Sequence, residues 1–234
     1  VAANTQVFAG RHNDDTLTNT SVIMNGGTVW SVYGGGLHKS HTVNAVVEIN
    51  GGHVSNVCGG GAAHLTTACG CTLPKTMDDC VCVTDNTSVK IAGGEGMTLV
   101  YGGGQGLSYT KRATTVVDGG VMNYFTSACV NGRTDVAVAT INGGVINILQ
   151  GLNRGTVDTI KTVINGGTIT KAFVGGEVPF IGTPDKPNGS DPHGTFKSAS
   201  LEINGGEIGS VEAGGNNYQV IEMDDPAISF VDNR

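Results

Sequence analysis

The chain has 234 residues, of which 14% are charged, and a net charge of −7; it lacks the dense basic surface that nucleic acid demands of a partner. Thirty-eight glycines against six Phe and one Trp argue against a thick two-layer globule. No run approaches eighteen continuous apolar residues, so no transmembrane helix and no membrane insertion are expected.

The first predicted unit places Val22 and Met24 in a strand, turns at Asn25-Gly26-Gly27, continues through Val29 and Val32, and meets Gly34-Gly35-Gly36. The same phrase returns as Val47, Ile49, Asn50-Gly51-Gly52, Val54, Val57 and Gly59-Gly60-Gly61. A third unit carries Val89, Ile91 and Ala92-Gly93-Gly94, with Gly96 and Leu99 expected in the second-strand columns before Gly102-Gly103-Gly104. Further units turn at Asp118-Gly119-Gly120, Asn142-Gly143-Gly144, Asn165-Gly166-Gly167 and Asn204-Gly205-Gly206. The first glycines are separated by 25, 42, 26, 24, 23 and 39 residues. Intervals of this size mark stacked units that cannot bury an apolar face alone.

Apolar residues two apart before each corner read as a half-buried strand. A spacing of three after the corner implies a bend or bulge in the second strand. Asn tolerates the left-handed region and Gly adopts positive φ cheaply, so Asn-Gly-Gly suits a sharp corner. Corners stacked at the sheet spacing of about 4.8 Å would align the Asn side chains as an amide ladder. The expected fold is all-β: a single-stranded, right-handed parallel β-helix of about seven coils, forming one domain over residues 1–234. A leucine-rich repeat would need Leu columns, a calcium β-roll needs an Asp where Ser108 stands, and an ice-binding face needs regular Thr ranks.

Two insertions interrupt the repeat, at about 62–86 and 177–197. In the first, Cys69, Cys71, Cys80 and Cys82 suit an antiparallel hairpin with Cys69–Cys82 and Cys71–Cys80 disulfides. A four-thiolate zinc site and free thiols are the alternatives. Disulfides would place the protein outside the reducing cytosol. Cys58 and Cys129 read as small buried hydrophobes. The second insertion holds four of the six prolines and reads as a long exposed loop.

Function is expected on an exposed face or in loops, because corners and core are architectural. The candidate ligand-binding residues are Trp30, His38, Lys39, His41, Tyr109, Lys111, Arg112, Arg133 and Arg154; such cations and aromatics suit a glycan or a protein surface. Trp30 should point outward, whereas Tyr33 and Tyr101 should cover bare glycine corners. His38 and His41 alone are a poor metal site, and neither a metal nor another cofactor is expected. Asp118, Asp135 and Asp158 with Arg112, Arg133 and Arg154 are the nearest approach to a catalytic set, but Asp118 already has a turn role. The expectation is a non-enzyme.

The segment from Ile49 to Gly61, with its counterpart from Met24 to Gly36, resembles the I-N-G-G-T-V-x-x-V-Y-G-G-G repeat of glycine-rich bacterial surface proteins. The resemblance covers roughly residues 20–215 and implies an adhesin-like β-helix displayed outside the cell. The expected activity is binding of a glycan or cell-surface protein through the variable arm. Self-association into a fibre or surface layer is the alternative, and polysaccharide cleavage by a lyase or hydrolase the third.

Overall fold

The computed structural model describes residues 5–12, 16–63, 82–176 and 195–212, together with the backbone of 225–230. Its secondary structure is all-β, in parallel sheets. Successive strands alternate between two eight-stranded sheets. The short-strand sheet is ordered β1 (Gln6–Phe8), β3 (Thr28–Tyr33), β5 (His53–Cys58), β8 (Met97–Tyr101), β11 (Val121–Thr126), β13 (Val145–Gln150), β15 (Thr168–Phe173) and β17 (Glu207–Glu212). The long-strand sheet runs from β2 (Thr16–Met24) through β4 (His41–Ile49), β7 (Cys82–Ile91), β10 (Ser108–Val117), β12 (Arg133–Ile141), β14 (Thr156–Ile164) and β16 (Thr195–Ile203) to β18 (Asp225–Phe230). A narrow third ladder joins β6 (Ala62–Ala63) to β9 (Gln105–Gly106) and is extended by single bridges through His12, Leu37, Val130 and Asn153. The arm expected to be variable therefore has a regular spine.

Alternation decides which residues enter the core. In the long strands the last inward column is Met24, Ile49, Ile91, Val117, Ile141, Ile164 and Ile203, and in the short strands Phe125 and Leu149 fill the space opposite. Beside the triple glycines the inward column is small or hydroxylic: Thr20, Ala45, Thr87, Ala113 and Ala137. There Thr20 and Thr87 donate their hydroxyls to the Gly34 and Gly102 carbonyls, each at 2.5 Å, which satisfies acceptors that burial would otherwise leave costly.

The Asn-Gly-Gly corners have the expected geometry. Their second glycine, from Gly27 to Gly206, has φ between 86° and 98°, a conformation that costs a side chain but not glycine. Asn50 donates to Asn25 at 2.9 Å, Asn142 to Asp118 at 2.8 Å, and Asn165 to Asn142 and Asn204 to Asn165 at 2.9 Å. Ala92 is the one gap in this amide ladder, since it has no side-chain polar group to pass on.

One expectation is corrected. The columns assigned to Gly96 and Leu99 are occupied by Met97 and Val100, which pair with Met122 and Phe125. His53 bridges Glu95 while Asn56 pairs with Leu99, so three residue steps on β5 face four on the next strand. The extra residue is a bulge, carried by Gly96 at φ 72°, where a Cβ would lie 2.1 Å from the His53 ring.

A second, smaller core holds the residues that follow the inward pair of β3, β5 and β8, together with residues of the third ladder. Tyr33, Cys58, Tyr101 and Val130 are buried there with Ala62, and Phe8 stacks on Tyr33 at 4.4 Å. Tyr33 and Tyr101, expected to cover the glycine corners, are packed in this second core. The Tyr33 hydroxyl donates to Gln105 at 2.7 Å, and burial foremost pushes its pKa up to about 12. Cys58 and Cys129 are buried free thiols, with burial raising the Cys58 pKa.

The expected pairings Cys69–Cys82 and Cys71–Cys80 fall mostly outside the described residues, as do 177–194 of the proline-rich insertion. Cys82 itself opens β7, fully buried against Ala63 and Leu107, with its sulfur 3.3 Å from the Ser40 hydroxyl. Thr195 already begins β16, two residues before the expected end of that insertion.

Candidate binding face

Near the start of the long strands Thr42, Thr84, Thr110 and Thr134 form a buried row in register. The row before it brings together His41, Val83, Tyr109 and Arg133, with Tyr109 itself buried, and the row after it, turned outward by alternation, brings together Asp85, Lys111, Asp135, Asp158 and Lys197. Stacking at one strand spacing makes opposite charges neighbours.

The result is two sets of ion pairs across the sheet. Asp85 accepts from Lys111 at 2.7 Å and lies 3.2 Å from His41. Arg133 forks between Asp135 at 3.1 Å and Asp158 at 3.3 Å, and Lys197 closes on Asp158 at 3.0 Å. The Tyr109 hydroxyl donates to Asp135, and the Arg133 guanidinium lies 6.0 Å from the Tyr109 ring centroid.

Burial alone would raise the Asp85 pKa, but the Lys111 and His41 donors outweigh it and hold the carboxyl below its usual range. Burial would likewise lower the Arg133 pKa, yet its bond to Asp135 and the charge of Asp158 raise it. A carboxylate with a depressed folded pKa contributes stability above its unfolded value of about 3.9, and loses it as pH falls through the folded value. Asp85→Asn is therefore expected to melt about 2–4 °C below the parent at pH 7, with the difference shrinking as pH falls below the ordinary carboxylate range and the Asp85 carboxyl takes up its proton. Thermal melts over a falling pH series check this.

The sequence candidates do not form one patch. His41 and Lys111 meet at Asp85, and Tyr109 and Arg133 at Asp135. Arg112 is exposed one residue further along β10, in register with Asn86. His38 lies on the third-ladder side with φ 46°, its ring edge-on to His12 at 5.2 Å, well placed neither for His41 nor for the ion pairs. Lys39 is exposed beside it. Arg154, at φ 49°, follows Asn153 on the same third ladder. Trp30 is on the short-strand sheet, outward as expected and 45% exposed. Asp118 remains at its corner, bonded to Asn142 and 3.9 Å from Lys90.

Sequence reasoning passed over Asp85 and two further amide ladders. Asn44 donates to Asn19 at 3.0 Å and Asn86 to Asn44 at 3.1 Å; on the other sheet Asn147 donates to Asn123 at 2.8 Å. The signal was present: Asn19, Asn44 and Asn86 each precede their corner residue by six positions.

The outer face of the short-strand sheet is built differently. Two adjoining open depressions, of about 530 and 370 Å³, meet at Val121, beside the bulge. Glu95 and His53 line the first, and Thr98, Asn123, Asn147 and Thr170 the second. Val121 and Val145 are half exposed on this face, at 52% and 46%.

Among the described residues no three His, Cys, Asp or Glu side chains gather as a metal site, and no helix is long and apolar enough to cross a membrane. No protein-family model, curated protein sequence or solved structure matches the chain.

Proposed function

We propose that the chain is a right-handed parallel β-helix of about seven coils and acts as a non-enzymatic, adhesin-like module outside the cell, holding a glycan or surface partner. The strictly parallel neighbours, the alternation between two sheets and the stacked Asn-Gly-Gly corners support the helix, and the handedness follows the general preference of parallel crossovers. One observation carries the choice of binding over cleavage. Asp135 and Asp158, the carboxylates nearest a catalytic arrangement, are occupied by Arg133 and Lys197, whereas hydrolysis needs a paired acid and base free to exchange protons. The extracellular assignment rests on the Cys-rich segment.

Incubation of the purified protein with a panel of polysaccharides tests the proposal. Retention without release of reducing ends or unsaturated products is expected. Product release would overturn it.

A self-associating structural subunit is favoured by one feature. Strand β2 spans nine uncharged residues, Thr16–Met24, and among the described residues pairs only with β4, leaving the kind of edge that recruits another strand. Size-exclusion chromatography at rising concentration separates the readings: a constant monomer removes this one.

A further inference from the structure

We infer that the outward stripe Trp30, Ser55, Thr98, Asn123, Asn147 and Thr170 is a binding site for a neutral, extended polysaccharide that runs across the strands. The inference rests on the binding-module reading and specifies its face and ligand class.

The stripe runs from β3 to β15: Trp30 and Ser55 lie between the pairs Val29–Val54 and Ser31–Asn56, the steps from Thr98 to Thr170 are flanked in the same way, and Ser55 and Thr98 are aligned by the Asn56–Leu99 pair that follows the bulge. Its side chains recur at the strand spacing of about 4.8 Å, close to the length of one pyranose unit in an extended chain. A linear glycan laid across the strands thus meets a similar polar group at each sugar. A peptide added to this face would find no backbone donors, because those are spent within the sheet.

The chemistry of the stripe is that of sugar recognition. All six side chains are uncharged, and five offer hydroxyl or amide groups to ligand hydroxyls. The bond from Asn147 to Asn123 fixes both amides, leaving the Asn123 amide nitrogen as a donor and the Asn147 oxygen as an acceptor. At one end the half-exposed Trp30 ring supplies a stacking surface for a sugar's apolar face. The partly exposed Val121 and Val145 border the middle of the stripe.

Charge distribution selects among glycans. Lys111, Arg133 and Lys197 belong to the other sheet and are already paired with aspartates, and the cation of this face, Lys171, stands exposed at one end of the stripe beside Thr170. Glu95, exposed beside the stripe at the bulge, repels carboxylates. The bulge itself, made by Gly96 under the His53 ring, interrupts the even ladder at the centre of the face, and both depressions open there. Bulges of this kind re-aim side chains next to sites.

Affinity electrophoresis and calorimetry with neutral polysaccharides (soluble mixed-linkage β-glucan, glucomannan, arabinoxylan) and acidic ones (alginate, polygalacturonate) test the inference. At least one neutral polymer is expected to bind and the acidic ones not. Trp30→Ala and the Asn123→Ala/Asn147→Ala pair are each expected to weaken binding about tenfold or more, and Lys161→Ala, on the opposite sheet, to leave it unchanged. Circular dichroism confirms that the variants fold; Trp30→Ala removes an exposed ring and keeps the test valid if the Asn pair does not fold. Binding that survives the stripe variants, or a preference for the acidic polymers, overturns the inference and leaves the binding-module reading intact. Failure of every polysaccharide to bind, including capture of only a protein or a second copy of the chain, overturns the inference; if nothing at all binds, the broader reading fails too.

Discussion

Gly59→Ala is expected to cost about 3 kcal/mol or more, whereas Gly26→Ala leaves stability unchanged or slightly raised. A Cβ at Gly59 would stand 2.1 Å from the Gly102 carbonyl oxygen and 2.7 Å from a Val89 methyl. The Gly59 amide is already bonded to the Tyr101 carbonyl at 2.9 Å, so the backbone cannot slide away without breaking the repeat-to-repeat ladder. At Gly26 nothing lies within 4 Å of the added atom, and φ is outside the left-handed region. Gly27→Ala falls between them: it too has open space but holds φ at 87°, which costs about 1–2 kcal/mol. Thermal melts should rank the three, with Gly59→Ala lower by about 6–12 °C. Equal melting temperatures for Gly26→Ala and Gly59→Ala would show that the triple-glycine corners are not close-packed.

Arg133→Ala should destabilise by about 1–2 kcal/mol at low ionic strength. The substitution leaves Asp135 and Asp158 side by side on neighbouring strands without the guanidinium that forks between them. Tyr109 and Lys197 retain one bond each to the two carboxylates, which limits the loss. The three side chains are 26–40% exposed, so salt should screen much of the effect, and the difference from the parent should shrink at 1 M salt, where the Debye length is about 3 Å. Arg133→Lys should recover only part of it, since an ammonium cannot fork between two carboxylates. Melts at low and high salt decide this. An unchanged Arg133→Ala melt at low salt would reduce these ion pairs to decoration.

Much of the architecture was legible because the corner residue acts as a ruler. Counting back from it gives the inward column at one residue, the second amide ladder at six, and the charged column at seven: Asp85, Lys111, Asp135, Asp158 and Lys197 precede their corner residues by that interval. The corner ladder and the outward Trp30 follow from the same count. The candidate face was less legible. Lys111 and Arg133 look like free cations in a sequence, and only the register shows that each already has a carboxylate within reach. The bulge escaped because counting ran forward from Gly94; counting back from Gly102 places Tyr101 in the column of Tyr33 and Cys58 and reveals one residue too many. His38, Lys39 and Arg154 were grouped with the rest by charge and proximity in sequence, but they follow the short-strand sheet's glycine clusters and therefore turn onto the third ladder.

The missing amide at Ala92 has a consequence for cooperativity. Stacked repeats hold together through nearest-neighbour interfaces, and side-chain bonds at the corners couple each repeat to the next. Between Asn50 and Asp118 that coupling is absent, in the same repeat whose short strand is bulged. The long strand of that repeat is still tied to its neighbours, since Asn86 bonds to Asn44 and Asp85 to His41 and Lys111, so the loosening is confined to the corner. Local opening in proteins samples such weak points first, and the corner at Ala92 is expected to exchange its amides before the corners on either side.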